Sequence, residues 1–393
     1  MGKRITSVGI LAFSGQPGQP GALWNSRGTT GEDCTFQQLA PYIGRIKTSI
    51  ARALIQRFTR PGDVLLDPFA GSGVIPFEAS LQARVPVAGD TNPYGVLLMR
   101  AKFSAPVSCD AAVERFEHRW KKAQRRVAGE DLRCIPLWIR RFFHPETLRK
   151  ALALRDELVE AQDDFLLACL LGILHHQRPG FLSYPSSHLV PYLRNRLFPR
   201  ERFAGLYEER DVRLRMIAKL QRTYRRAPEF SPSARIYHAD ARSLPIPSRI
   251  DAVITSPPYM NELDYVRDNR LRLWFIGRRL PEVRDIPRGD RERHFKDLLQ
   301  EVFCRLLDHL SPGAAVVIVV GDTRRGGRRL NSARIVKQVF SQKIFASLML
   351  QEELHDRIPD IRRSRRDLVG TKRETILAYR LSRPVGCRAE ATT

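Results

Sequence analysis

A short apolar run that ends in a glycine-rich turn constrains the fold of this chain more than any other stretch. Residues 64–66 (Val-Leu-Leu) lead into residues 67–73 (Asp-Pro-Phe-Ala-Gly-Ser-Gly), and residues 74–83 have the apolar spacing of a helix. Gly71 and Gly73 allow the tight backbone that joins a strand to a helix N-terminus, and they let a ligand approach the main chain closely. The stretch therefore predicts a strand, a turn and a helix, with a binding site at the turn.

Other apolar runs predict a sheet whose strands alternate with helical segments. The runs that predict further strands are residues 85–88, 234–238, 251–254, 314–320 and 374–379. Such alternation predicts an α/β fold with a Rossmann-like doubly wound sheet, in which ligands bind beyond the carboxyl ends of the strands.

A basic, helix-patterned section interrupts the predicted strands. Residues 103–230 are rich in arginine and are interpreted as a helical insertion. The sheet domain then comprises residues 37–102 and 231–381. Residues 1–36 are interpreted as an N-terminal arm or loop, and residues 382–393 as a loose tail.

Composition favours a polyanionic partner. Lys and Arg number 66 against 42 Asp and Glu, which gives a formal net charge of +24. Such an excess is expected of a nucleic-acid-binding protein, although a generally basic protein would show it too. The six cysteines are scattered without a Cys-x-x-Cys pair, which predicts reduced thiols and no metal site. Because no apolar run is long enough for a membrane span or a signal peptide, we expect a cytoplasmic protein without a membrane partner.

The turn at 67–73 and the tetrapeptide Ser256-Pro257-Pro258-Tyr259 together resemble the paired motifs of S-adenosylmethionine-dependent amino-methyltransferases. Their order along the chain is similar to that of bacterial DNA methylases of the N4-cytosine/N6-adenine type. Residues 42–55 are also similar to the stretch that precedes the first motif in these enzymes and packs over the cofactor. A dinucleotide fingerprint would require glycine where this chain has Pro76, so an NAD or FAD site is disfavoured.

The resemblance implies an S-adenosylmethionine site. In the family the turn curls around the methionine portion, an acidic residue in the place of Asp90 binds the ribose hydroxyls, and one in the place of Asp240 lies near the adenine. A carboxylate suits the ribose because it can accept from both hydroxyls at once. Asp240 could instead cap the next helix. The predicted cofactor-binding residues are Asp67, Phe69, Gly71, Ser72, Gly73, Asp90, Asn92 and Asp240.

The residue types of the tetrapeptide suit an exocyclic amine. The amine donates its lone pair into the base ring, so methyl transfer requires acceptors that favour a more tetrahedral nitrogen. Ser256 Oγ and the Pro257 carbonyl can supply two acceptors, and the prolines, including Pro258, stiffen the backbone. Tyr259 offers a face on which a flipped base can stack. An ordinary turn after a strand is the alternative, and the glycine turn upstream makes it less favoured.

Two basic segments are candidates for phosphate contact, with solvated surface charge as the alternative. Their predicted nucleic-acid-binding residues are Arg324, Arg325, Arg328, Arg329, Arg362, Arg363, Arg365 and Arg366. The helical insertion is predicted to form part of the wall that faces DNA, because it is basic.

These observations predict a DNA amino-methyltransferase. Ser256 at the start of the tetrapeptide favours N4 of cytosine over N6 of adenine, for which the family more often has Asp or Asn. An RNA N2-guanine methyltransferase is the alternative, since it uses similar motifs and also requires positive charge. A non-catalytic nucleic-acid-binding protein that kept a methylase fold is a third possibility, and it would fail to bind S-adenosylmethionine.

Overall fold

The computed structural model describes residues 33–176, 181–184, 199–258, 269–277, 291–321, 323–325, 328–357 and 373–382. The strands in this part of the chain are β1 (Val64–Asp67), β2 (Val85–Asp90), β3 (Arg235–His238), β4 (Ile250–Thr255), β5 (Leu310–Gly321), β6 (Thr323–Arg325), β7 (Arg328–Leu330), β8 (Leu348–Arg357) and β9 (Arg373–Leu381). The α-helices are α1 (Thr48–Phe58), α2 (Val74–Leu81), α3 (Pro93–Phe103), α4 (Cys109–Arg126), α5 (Leu137–Arg140), α6 (Pro145–Glu160), α7 (Asp164–Leu174), α8 (Val212–Thr223), α9 (Arg270–Gly277), α10 (Arg291–Leu307) and α11 (Ser332–Phe340).

Seven strands form one sheet in the order β3-β2-β1-β4-β5-β9-β8. Neighbouring strands from β3 to β5 are parallel, whereas β9 runs antiparallel between β5 and β8. The strand order reverses between β1 and β4, which is where a doubly wound sheet opens a crevice at the carboxyl ends of its strands. The predicted Rossmann-like α/β fold is confirmed.

Helices cover both faces of the sheet. Successive side chains along a strand point to opposite faces, so Leu65 packs with α1 and α2, whereas Leu66 packs with α10 and α11. Both leucines are fully buried. Burial on two faces explains why the central strands read as continuous apolar runs rather than as alternating ones.

Helices α4 to α8 lie inside residues 103–230, where the sequence predicts a helical insertion. Their apolar faces share one core with α3 and α9, which belong to the sheet domain. The fit is close at Gly172 of α7, where an added Cβ would lie 2.2 Å from the carbonyl oxygen of Leu39. The insertion is therefore built into the domain core.

Three features differ from the sequence expectations or extend them. Strand β8 was not predicted, because it is an edge strand that carries Glu352, Glu353, Asp356 and Arg357 in place of a continuous apolar run, and it has a register shift between Leu350 and Glu352. The basic segment around Arg324 to Arg329, for which no strand is predicted, carries the β6–β7 hairpin. Within the predicted N-terminal arm, Phe36 is 2% exposed and packs against Phe77 and Phe165. None of the helices in the described part of the chain is long and apolar enough to cross a membrane.

Candidate active site

Three predicted site segments meet at the carboxyl edge of the sheet. Strand β1 ends at Asp67, its neighbour β2 ends at Asp90, and its other neighbour β4 ends at Thr255, directly before Ser256. Thr255 Oγ1 donates a hydrogen bond of 2.6 Å to Asp67 Oδ1, and both side chains are buried. The start of the Ser-Pro-Pro segment is thus joined directly to the start of the glycine turn.

The glycine turn requires glycine at two positions. Gly71 and Gly73 have positive φ angles of 52° and 74°, and Gly73 is the N-cap of α2. A Cβ on Gly73 would lie 2.3 Å from Met99 Cγ. On the neighbouring helix, a Cβ on Gly95 would lie 2.6 Å from the carbonyl oxygen of Gly71. The turn is therefore held tightly between α2 and α3.

Asp90 fastens the glycine turn to the end of β2. Its carboxylate accepts a hydrogen bond of 2.7 Å from the Gly71 N–H and one of 2.8 Å from the Asn92 N–H. Burial raises the pKa of Asp90, while these backbone hydrogen bonds oppose the shift. A carboxylate has about four acceptor sites, so the two backbone contacts leave capacity for the ribose hydroxyls of a nucleoside. This arrangement fits S-adenosylmethionine. The Asp90 carboxylate can accept from the sugar, and the glycine turn at the N-terminus of α2 lies beside it.

Asp67 accepts hydrogen bonds at the start of the turn. Its side chain is 1% exposed and, besides Thr255, it accepts from the Phe69 N–H at 3.2 Å. Burial raises the pKa of Asp67 to about 7, against the lowering effect of these hydrogen bonds. Phe69 is half-buried and packs on the sheet core. Both residues shape the turn, and their predicted contact with the cofactor stays a prediction.

Tyr42 lies over the glycine turn. A Cβ added to Gly71 would lie 3.4 Å from the Tyr42 ring. Asn92 Nδ2 donates to Tyr42 Oη at 3.3 Å, and Tyr94 Oη donates to the Pro41 carbonyl at 2.8 Å. Asn92 also caps α3 by accepting from the Tyr94 N–H. The segment that the sequence resemblance places over the cofactor is thus fastened beside the turn.

A buried lysine that sequence reasoning missed supports the turn from behind. Lys102, at the end of α3, is 2% exposed, and its Nζ donates to the Ser72 carbonyl at 2.8 Å and to Gln37 Oε1 at 2.6 Å. Gln37 in turn donates to Glu78 Oε1 of α2 at 3.0 Å. Burial, with a smaller effect of Arg45, lowers the pKa of Lys102 to about 7. In the sequence this lysine is one basic residue among many, so only its burial identifies it.

The tetrapeptide Ser256-Pro257-Pro258-Tyr259, the proposed amine clamp, lies partly within the described residues. Ser256 is half-buried, Pro257 is buried and Pro258 is exposed. Tyr259 lies outside the described residues. Ser256 and the Pro257 carbonyl stand at the carboxyl end of β4, next to the strand that carries the glycine turn, and this is the position that the sequence predicts for them.

Asp240 lies two residues after the end of β3, and its side chain contacts Arg242. Its carboxylate accepts from the Arg242 backbone N–H at 2.8 Å and from the Arg242 side chain at 2.9 and 2.8 Å. The hydrogen bonds from Arg242 lower the pKa of Asp240. Residues 241–243 form a turn and not a helix, so Asp240 does not cap a helix as the alternative expected. The adenine contact stays a prediction.

The eight predicted phosphate-binding arginines fall into two groups of four. Arg324, Arg325, Arg328 and Arg329 lie on the β6–β7 hairpin, of which the backbone alone is described. Arg362, Arg363, Arg365 and Arg366 lie outside the described residues. Their phosphate contacts stay predictions. Among the residues that the structure does describe, no group of three or more His, Cys, Asp or Glu side chains could hold a metal ion.

The segment that follows the Ser-Pro-Pro-Tyr region is fastened to the insertion. On α9, the carbonyls of Phe275 and Ile276 accept from the buried guanidinium of Arg155 of α6. Arg272 of α9 donates to the carbonyls of Leu171 and His175 at 3.3 and 3.0 Å. These contacts were not predicted, because arginines in a basic helix are usually solvated.

Comparisons with known proteins agree with this site. Residues 38–133, which include the glycine turn and Asp90, match a family model described as UPF0020, RMKL-like, methyltransferase domain. No curated protein matches the chain.

Solved structures resemble the chain weakly. TrmN from Thermus thermophilus is 13% identical, with 88% of this chain and 52% of TrmN covered and a TM-score of 0.34, so the match spans about half the length of TrmN. The rRNA methyltransferase aviRa from Streptomyces viridochromogenes is 14% identical, with 88% and 92% covered and a TM-score of 0.33. N-methyltransferase NodS from Bradyrhizobium japonicum, in complex with S-adenosyl-L-homocysteine, is 13% identical, with 43% and 63% covered and a TM-score of 0.21.

The functional assignment rests on the family match and on the geometry of the turn. The matched residues contain β1, the glycine turn and the Asp90 carboxylate at the end of β2. This turn and carboxylate fit the methyl donor that the sequence resemblance implies. Together they establish that this chain carries a methyltransferase domain whose cofactor is S-adenosylmethionine.

Proposed function

We propose that this chain transfers a methyl group from S-adenosylmethionine to the exocyclic amino group of a base in a nucleic acid. The observation that carries the proposal is the hydrogen bond from Thr255 to Asp67. It joins the strand that leads into Ser256 to the strand that leads into the glycine turn. An amine held by Ser256 would therefore stand beside the bound methyl donor.

The chain's own groups supply acceptors and positioning. When bound, S-adenosylmethionine supplies an electrophilic methyl group on a sulfonium. Ser256 Oγ and the Pro257 carbonyl accept hydrogen bonds from the amine, which draws its lone pair out of the base ring. Pro257 and Pro258 restrict the backbone, so these acceptors need little reorganisation. With the cofactor held at Asp90 and the glycine turn, its methyl group would pass to this amine by direct displacement, with S-adenosylhomocysteine as the leaving group and the amine proton released to solvent.

RNA is a better candidate for the substrate than DNA. The DNA prediction used Ser256 to favour N4 of cytosine, but a serine hydroxyl accepts equally well from the N2 amine of guanine. The family model that matches residues 38–133 is described as RMKL-like and not as a DNA amino-methyltransferase. We therefore put an RNA base amine first, with N2 of guanine as the candidate, and keep N4 of cytosine in DNA as the second.

A non-catalytic nucleic-acid-binding role is less favoured. The glycine turn keeps both positive-φ glycines, and the Asp90 carboxylate keeps its contacts to the Gly71 and Asn92 N–H groups. A domain that had lost catalysis would not be expected to hold this geometry. Calorimetry with S-adenosylmethionine tests the point directly, because absence of binding would support the non-catalytic role.

Expression in a host that lacks nucleic-acid modification tests the proposed function. Nucleosides of total RNA and DNA are then compared by mass spectrometry with and without the protein. We expect an N-methylated nucleoside in RNA, and its loss in Ser256→Ala with S-adenosylmethionine binding retained. Tyr259→Ala tests the proposed stacking, which is worth about 1–3 kcal/mol per base. Methylation found in DNA alone would select the second candidate, and methylation that Tyr259→Ala leaves unchanged would remove the stacking role.

A further inference from the structure

A cavity of about 630 Å³ lies next to the glycine turn. It is lined by residues between 35 and 45, by Gly172 and Ile173 of α7, by the end of α8 and by Phe181. Tyr42 belongs to both places, because its ring lies against Gly71 and also lines the cavity. The cavity and the cofactor turn are therefore separated by a shared side chain.

Hydrogen bonds and close packing between segments that are distant in sequence hold the walls of the cavity together. Thr35 Oγ1 donates to the Thr223 carbonyl and accepts from the Arg226 N–H at 3.2 Å. Lys219 Nζ donates to the Gln38 carbonyl at 3.1 Å. Gly172 contacts Leu39 so closely that a Cβ there would displace the wall. The space is thus preformed, and its size lies within the range of about 300–1,000 Å³ that ligand pockets have.

The charged residues that line the cavity are all basic. They are Arg45, Lys219 and Arg222, and no Asp or Glu is among the described residues that line it. Burial lowers the pKa of Lys219, and the nearby Arg222 lowers it further. Lys219 lies in a half-buried position on α8, whereas Arg222 is exposed at the end of the same helix. An anionic group in the cavity would relieve the repulsion between Lys219 and Arg222.

We propose that this cavity binds a phosphate-bearing nucleotide of the substrate strand. The proposal rests on the proposed function, because it identifies a second contact of the same nucleic acid. Arg45, Lys219 and Arg222 would hold the phosphate, while Ile43, Ile173 and Phe181 supply apolar surface for the remainder of the nucleotide. Phosphate contacts set the register of a protein on a strand. Since Tyr42 separates the cavity from the cofactor turn, this contact would fix which base reaches Ser256.

The test measures binding of a short fluorescein-labelled single-stranded RNA by anisotropy over a range of salt concentrations, and repeats it with DNA of the same sequence. The variants are Arg222→Gln and Lys219→Gln. Lys343→Gln is the matched control, because Lys343 is an exposed lysine that precedes β8, at the opposite edge of the sheet from β3. Each lost phosphate contact lowers the slope of log affinity against log salt by about 0.7 for a single strand. We expect that decrease in Arg222→Gln and in Lys219→Gln, with S-adenosylmethionine affinity unchanged by calorimetry.

The outcomes separate this inference from the proposed function. Slopes in both cavity variants that equal the slope of Lys343→Gln would overturn the inference and leave the proposed function standing. A wild-type protein that binds neither RNA nor DNA would overturn both. Adenosine monophosphate serves as the free-nucleotide probe: if its binding depends on Arg222 while RNA and DNA binding do not, the cavity serves a small phosphate-bearing molecule and the strand proposal is wrong. Because Arg222 is exposed, its variant keeps the test valid even if Lys219→Gln disturbs the fold.

Discussion

At the scale of single residues, the buried carboxyl of Asp67 gives stability a pH dependence. Burial raises its pKa from the ordinary value of 3.8 to about 7. Between these pH values the folded protein holds a proton that the unfolded chain has released. The contribution of Asp67 to stability is therefore fully present below pH 3.8 and is lost as the pH rises through about 7.

This sign predicts the behaviour of Asp67→Asn, which cannot titrate. Relative to the variant, the wild-type free energy of unfolding should fall as the pH is raised from about 4 to 7. Urea unfolding of the protein without cofactor, at several pH values, measures the difference. Asp110→Asn, at an exposed position in the first turn of α4, is the control. Parallel pH profiles for wild type and Asp67→Asn would contradict the assignment.

Lys102 is the second residue whose effect can be predicted. Lys102→Met leaves the Ser72 carbonyl and Gln37 Oε1 without their donor. An unsatisfied buried acceptor destabilises the fold by about 1–3 kcal/mol, and here the acceptor Ser72 belongs to the glycine turn. We expect S-adenosylmethionine affinity to decrease about tenfold or more, measured by calorimetry. Lys121→Met, on an exposed part of α4, should leave the affinity unchanged. Equal affinities for the two variants would show that Lys102 does not support the turn.

At the scale of elements, α9 connects the insertion to the segment that follows the proposed amine clamp. Arg270 of α9 stacks its guanidinium 4.3 Å from the Trp138 ring centroid, and Phe275 lies 6.0 Å from Phe143. Arg155 satisfies two carbonyls at the end of the helix, where intrahelical donors are absent. The insertion therefore holds one end of the segment that begins at Ser256.

Arg155→Met should consequently lower kcat and leave S-adenosylmethionine affinity unchanged. A decrease of about tenfold is expected, which corresponds to about 1.4 kcal/mol. Arg155→Lys should restore part of the activity, because an ammonium cannot reproduce the fork geometry of a guanidinium. Arg213→Met on α8, which removes an exposed ion pair with Glu117, is the control. If the kcat values of Arg155→Met and Arg213→Met agree, α9 does not position the clamp.

The same elements show what could be predicted from sequence. Strand β1, the glycine turn and Asp90 are local patterns, so their structure follows from residues close together in the chain. Strand β8 escaped prediction, because an edge strand with several charged residues lacks the apolar run of a buried one. Lys102 and Arg155 escaped prediction for another reason: basic residues on helices are mostly exposed, and only the packing of distant elements buries these two. The placement of Tyr259 stays a prediction.

At the scale of the whole molecule, the net charge of +24 predicts a salt dependence that separates the two substrates. Nucleic-acid binding that releases counterions weakens steeply between about 50 and 200 mM salt. We expect S-adenosylmethionine to bind at Asp90 and the glycine turn rather than through counterion release, so its affinity should change little with salt. Methyl transfer measured at limiting nucleic acid should therefore fall with salt much more than transfer at limiting cofactor. A parallel decrease in both would argue against a polyanionic substrate.

The most direct test of the central claim uses purified protein, S-adenosylmethionine with a deuterated methyl group, and total RNA or DNA from a host without modification. Nucleoside mass spectrometry then locates the label. The account predicts a deuterated methyl group on an exocyclic amine of a base, present with the wild type and absent with Ser256→Ala. Label on a ring carbon or a ribose, or no labelled nucleoside in either polymer, would contradict it.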